Sequence, residues 1–181
     1  MDFTGADLRH VTAAVSFEDV DFGAARLTGA RFSWSDLIDC TFRGVVHALV
    51  IGARPITQAP AEWRLTRVDM TQAKPRRLEL LGVNLGAPGV EIELPSNGDY
   101  WLLEDWRGFL EAVAQSVARL PDGPQRGTVQ IWLDFAQADS GSRQTTGFVA
   151  VRDVTDLGGD ELLALLAAAR ERTAGPPESR S

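Results

Sequence analysis

From Val15 to Phe42 the chain reads VSFEDVDFGAARLTGARFSWSDLIDCTF. An apolar Phe or Leu stands at every fifth residue of it: Phe17, Phe22, Leu27, Phe32, Leu37 and Phe42. Two residues before each stands a small or β-branched residue: Val15, Val20, Ala25, Ala30, Ser35 and Cys40. A period of five fits neither an amphipathic helix at 3.6 nor a flat strand at 2. Self-similarity at a fixed short period is the mark of a repeat architecture, in which units bury their apolar faces only by stacking.

Upstream, Phe3 and Leu8 fit the same motif, with Ala6-Asp7-Leu8 its clearest copy. Downstream, Leu65, Met70, Pro75, Leu80, Leu85 and Val90 are again five apart. Trp63, Val68, Ala73, Leu78, Val83 and Pro88 precede them at the same offset. This pattern resembles the pentapeptide-repeat family, whose consensus is Ala-(Asp/Asn)-Leu-X-X with Phe often replacing Leu. Gly5-Ala6-Asp7-Leu8, Gly29-Ala30-Arg31-Phe32 and Ser35-Asp36-Leu37 carry the resemblance, which covers about residues 1–92. It implies a right-handed quadrilateral β-helix, each pentapeptide forming one side of a square coil. In such a coil the Phe or Leu and the small residue two before it point inward. Asp7, Asp21, Arg26, Arg31, Asp36, Lys74 and Glu79 then face water.

Two departures interrupt the phase. Leu8 to Phe17 spans nine residues rather than ten, so one corner is short by a residue. Phe42 to Leu65 spans 23, and the Pro-, Gly- and Ala-rich stretch between them is expected to leave the coil as a protruding loop near 51–62.

The second half changes character, giving a division into a β-helix over 1–95, an α+β capping or interaction region over 96–172, and a disordered tail over 173–181. Gly86-Ala87-Pro88-Gly89 loosens the last coil, and Pro95-Ser96-Asn97-Gly98-Asp99 signals a turn. Trp106, Phe109, Leu110, Val113, Val117 and Leu120 have helical spacing, predicting a helix that caps the bottom coil and ends at Pro121-Asp122-Gly123-Pro124. Val129, Ile131, Leu133 and Phe135 alternate with polar residues and Trp132, which predicts a strand. With a second strand near 148–154 it would form a hairpin, and a last helix is expected over about Asp160 to Arg172. Asp160 and Glu161 suit the positive end of that helix's dipole.

Composition narrows the function. Of 181 residues, 44% are hydrophobic and 24% charged, ordinary for a globular chain. Lys74 is the only lysine, an Arg bias that, with many Ala and Gly, suggests a GC-rich bacterial coding sequence. The first residues carry no signal-like apolar run, no stretch nears the ~18 apolar residues of a membrane span, and Cys40 is the only cysteine. A cytoplasmic protein without disulfides, membrane contact or cofactor is expected. Net charge is −7, with −2 in residues 1–95 and −5 in 96–181, unfavourable for direct nucleic-acid binding.

No constellation stands out as catalytic, cofactor-binding or metal-binding. Cys40 with His47 suggests a nucleophile and base, but Cys40 occupies an inward repeat slot. His10 and His47 are the only histidines. Glu104, Asp105 and Glu111 lie on the polar side of the apolar helix. Asp153, Asp156 and Asp160 lack calcium-loop spacing and suit helix capping instead. Gly158-Gly159 forms no phosphate loop. Tyr100, Trp101 and Trp106 have acidic neighbours and no basic patch, so a core role is expected rather than base stacking.

The reading is a non-enzymatic, rigid scaffold for protein–protein interaction, its partner unidentified and a homodimer left open. The family supplies the alternative: a DNA mimic that binds DNA gyrase or topoisomerase and confers resistance to its inhibitors. About four and a half coils at ~4.8 Å make a rod of ~22 Å, over which DNA carries about 13 charges. The repeat half nets −2, far short unless the acids share one face.

Overall fold

Side chains five apart can share one interior only if the backbone turns a corner between them. In the computed structural model, which describes residues 1–23, 25–33, 35–52, 64–85, 87–95, 98–139 and 144–174, it does so repeatedly. The first ten strands are β1 (Thr12–Ala13), β2 (Phe17–Asp21), β3 (Arg31–Phe32), β4 (Leu37–Thr41), β5 (Gly44–His47), β6 (Val50–Gly52), β7 (Leu65–Asp69), β8 (Ala73–Arg76), β9 (Glu79–Leu81) and β10 (Val90–Glu93). Each pairs in parallel with its equivalent in the neighbouring turn, giving ladders β10-β7-β4-β2, β1-β3-β6-β9 and β5-β8. The repeats thus form stacked parallel coils, the β-helix type of packing that the pentad implies.

Register locates the irregularities. Phe17 lies beside Leu37, twenty residues on, but Ala13 lies beside Phe32 and Phe32 beside Ile51, nineteen on. The short corner is therefore the step from Ala13 to Phe17. A second short step runs from Phe42 to Val46, because Val46 and Ile51 stack beneath Pro75 and Leu80 as the next two sides. Ile51 and Gly52 belong to β6 and are buried, which corrects the expected loop start; residues 53–62 of that loop lie outside the described residues. Leu65 and Val90 are paired although twenty-five residues apart. Leu85 therefore lies outside the ladders, although Val83 is buried in the coil's core and Leu85 packs against it.

All but one of the six central residues of the opening run are buried, Phe17 being half-buried. Their rings stack through the axis: Phe3 on Phe22 at 5.6 Å and Phe22 on Phe42 at 4.8 Å between centroids. Asp before a central residue has a distinct task. Asp2, Asp7, Asp21 and Asp69 each accept from the backbone N–H two residues on, at 2.7, 3.2, 2.7 and 2.8 Å. That local turn satisfies a backbone donor where the chain bends.

The corners carry left-handed backbone in register. Asp19, Asp39 and Arg67 have φ of 53°, 54° and 52°, and His10, Gly29, Ala48 and Arg77 have 59°, 71°, 52° and 52°. Only one of these seven is glycine. Positive φ is uncommon in other residues, so the ladders on both sides of each corner over-determine it.

Beyond the coil come β11 (Tyr100–Leu103), α1 (Trp106–Arg119), α2 (Pro124–Asp139), β12 (Gly147–Ala150) and α3 (Val151–Thr173). The expected hairpin is not formed. Residues 124–139 are helical, and β12 pairs antiparallel with β11, Tyr100 opposite Ala150. Pro124 suits the first turn of a helix, where its missing N–H is no loss. Val129 and Leu133, four apart, are buried, while Ile131 and Phe135 are 51% and 67% exposed. α3 is two helical pieces joined at Gly158-Gly159, where Gly159 has φ 64°; the second piece is the expected last helix. It runs through Thr173, the first residue of the expected tail, and 175–181 lie outside the described residues.

α1 buries Trp106, Phe109, Leu110, Val113 and Val117 as its spacing predicts, but not over the coil. They join Val129, Leu133, Val154, Leu162 and Leu166 in a second core, distinct from that of the coil. Among the described residues of this half, Phe148 packs against the coil's own core. Among the described residues no helix is long and apolar enough to cross a membrane.

Candidate interaction surface

The coil places the chemically suggestive residues apart or in structural tasks. Cys40 is fully buried on β4, its thiol donating weakly toward the Phe17 and Ile38 carbonyls at 3.5 Å, and burial pushes its pKa up. His47 lies on β5, half-buried, with His10 at an exposed corner one ladder position before Gly29. Asp105 caps α1, accepting from the Gly108 N–H at 2.9 Å, and exposed Glu111 pairs with Arg107 at 3.3 Å. Asp153 accepts from the Arg77 N–H at 2.5 Å. Trp101 and Trp106 are buried, and Tyr100 stacks on Phe148 at 5.4 Å. Among the described residues no cluster of His, Cys, Asp and Glu could hold a metal ion.

Charge is what the coil sorts. Around the β10-β7-β4-β2 ladder, and Asp2 bridged to Asp21, stand nine carboxylates: Asp2, Glu18, Asp19, Asp21, Asp36, Asp39, Asp69, Glu91 and Glu93. Among the described residues only Arg43, Arg64 and Arg67 oppose them there, leaving this side at −6. Around the β5-β8 and β1-β3-β6-β9 ladders stand Arg9, Arg26, Arg31, Lys74, Arg76 and Arg77 against Asp7 and Glu79, a balance of +4. The −2 of the repeat half is thus the sum of two oppositely charged sides, with Arg54 and Glu62, outside the described residues, cancelling each other.

The acidic side is ordered by its arginines. Arg64 donates from its backbone N–H to Asp36 at 2.7 Å and from Nη2 at 3.1 Å; Arg67 Nη2 donates to Asp39 at 2.6 Å; Arg43 lies 3.5 Å from Asp21. The backbone N–H of Arg64 holds Asp36 below the usual carboxylate range, and the Arg67 guanidinium does so for Asp39. The Thr71 hydroxyl does the same for Asp69. These groups are ionised at neutral pH. Exposed pairs of this kind contribute little to stability, so their arrangement bears on recognition more than on folding.

A second feature lies where the last coil meets the helices. A cleft of about 530 Å³ is lined by Leu78 and Leu80 from the coil, Trp132 and Phe135 from α2, Phe148 from β12 and Leu157 from α3. The two halves are tied beside it. Leu85 N–H donates to Thr146 Oγ1 at 2.7 Å, and Thr145 N–H to Asn84 Oδ1 at 2.7 Å.

Sequence reasoning missed the two features for different reasons. The short steps at Ala13–Phe17 and Phe42–Val46 shift each later side by a residue, so charges cannot be assigned to sides by counting fives. The acidic ladder itself runs at offsets of twenty, twenty-eight and twenty-five residues, so no fixed spacing reveals it. The cleft depends on α2, where the alternating apolar pattern predicts a strand.

No curated protein and no solved structure matches the chain. A family model does match part of it, over residues 2–44, in eight copies. The match is to pentapeptide repeats, and parallel pairing carries the same stacking beyond it, through β10.

Proposed function

We propose that this protein is a non-enzymatic scaffold that binds another protein through the sides of a right-handed, four-sided β-helix. The observation that carries the reading is the sorting of charge: −6 on one side of the coil, +4 across the others. A stack of paired parallel strands holds such a pattern rigid, and a preformed surface loses little entropy on binding. Complementary fields steer encounter and set register between partners. The test compares the wild type with Glu18→Gln/Glu91→Gln/Glu93→Gln in pull-downs from the source cell, scored by mass spectrometry. A partner retained by the wild type and lost by the triple variant supports the acidic side as the interface. Capture of the same partners by both proteins would refute it.

One observation favours the second reading, a DNA mimic directed at gyrase or topoisomerase. The acidic side carries three times the net charge of the repeat half. Yet −6 is about half of the ~13 that DNA presents over ~22 Å, and Arg64 and Arg67 interrupt the ladder at β7. The expected result in a supercoiling assay at low micromolar protein is neither inhibition nor protection of gyrase. Dose-dependent inhibition that weakens steeply with salt would promote the mimic.

A further inference from the structure

We infer that the cleft between the last coil and the helical region binds a small organic cation with an aromatic or branched apolar body. This stands apart from the scaffold reading and uses none of the acidic ladder. The cleft's volume of about 530 Å³ falls in the range of small-molecule sites, roughly 300–1,000 Å³. Its apolar walls come from separate elements, so the ligand's body would touch the coil and the helices together. Phe135 and Leu157, at 67% and 49% exposure, flank it as large side chains that the folded chain alone leaves in water.

Two polar features choose the ligand. Gln144 lines the cleft with its amide fixed, Nε2 donating to the Thr146 carbonyl at 2.9 Å. Its Oε1 is buried and, among the described residues, has no hydrogen-bond donor. A buried acceptor without a partner is costly, and a small shift of the Gln144 side chain toward the cleft would let an N–H on the ligand satisfy it. The lining also holds Glu79, Asp153 and Asp156 against Arg77, a balance of −2. An anionic ligand would meet repulsion there, while a cation gains from the carboxylates and from the faces of the lining aromatics. An ammonium or amidinium group on an apolar body meets both demands.

The test titrates the full chain with 4-phenylbutylamine and with 4-phenylbutyrate, similar in shape and opposite in charge. Trp106 and Trp132 line the cleft, so tryptophan emission reports occupancy. The amine is expected to give a saturable change, and the carboxylate to bind at least ~10-fold more weakly, as one charge contact near a surface allows. Asp156→Asn should cut the preference for the amine several-fold, and Gln144→Met should weaken the amine. Phe135→Ala should abolish saturation while circular dichroism stays unchanged, since Phe135 is exposed. Equal binding of the two probes overturns the inference, as does amine binding indifferent to Phe135→Ala and Asp156→Asn. Absence of saturable amine binding overturns it as well.

Discussion

The coil and the helical region bury similar side chains under different rules. In the coil each apolar residue sits above its counterpart one turn away: Phe22 lies between Phe3 and Phe42, and Leu37 between Phe17 and Leu65. Position in the chain therefore dictates position in the core. In the helical region Trp106 packs on Phe109 and Trp132, with Val154, Leu162 and Leu166 of α3 in the same cluster. There the partners are set by how three helices and a two-stranded sheet assemble, which no fixed offset encodes. Local, layered contacts make the first region a sum of near-identical steps, whereas the second stands or falls as one unit.

The largest expected effect tests that layering. Phe32 is 1% exposed and packs against the rings of Phe17, Phe22 and Phe42. Phe32→Ala should cost ~3–5 kcal/mol in chemical denaturation, because rigid ladders above and below limit collapse into the void. A loss under ~1 kcal/mol would mean the side chain is not in the axis and the register is wrong.

A sharper contrast lies in α2. A strand places Leu133 and Ile131 on one face, so both should matter alike. The helix buries Leu133 at 3% exposure and leaves Ile131 at 51%. Leu133→Ala should cost ~2–5 kcal/mol and Ile131→Ala within about 0.5. Similar losses would restore the strand.

That pair also shows what was legible in the sequence. Val129, Ile131, Leu133 and Phe135 alternate, but spacing four between the two buried residues serves a helix as well as a strand. Pro124 and the i, i+4 pairs Asp122–Arg126 and Gln130–Asp134 were the signals for the helix. In the coil the central residues were legible because five has no competing period. Val15 was not: it fits the small inward slot yet is 54% exposed, since it falls in the four-residue step to Phe17. Nor were the left-handed corners, for Asp19, Asp39 and Arg67 carry no glycine signature. The acidic side, the candidate interface, needed the register, which the longer spans from Leu37 to Leu65 and from Leu65 to Val90 hide.

The smallest expected effect concerns the turn that makes Asp a repeat residue. Asp7 accepts from the Arg9 guanidinium at 2.8 and 2.6 Å and from the Arg9 N–H at 3.2 Å. The Arg9 side chain, then its N–H, hold the carboxyl down at about 2, against 3.8 for the free group. A carboxyl whose pKa is depressed by folding contributes stability that is complete above the unfolded value. The contribution fades as pH falls toward the folded value, because the unfolded chain then binds the proton first. The urea midpoint of the wild type should therefore exceed that of Asp7→Asn by a small, constant margin above about pH 5, and the margin should shrink between about pH 4 and 2. Other depressed carboxyls, Asp2, Asp36, Asp39 and Asp69, lower the stability of both proteins over that range, so only the difference reports on Asp7. No such titration is expected of Leu133→Ala, whose deficit is apolar and should stay level with pH. A margin for Asp7→Asn that widens on acidification, or is flat from pH 5 to 2, would show that the turn does not hold the ionised carboxylate.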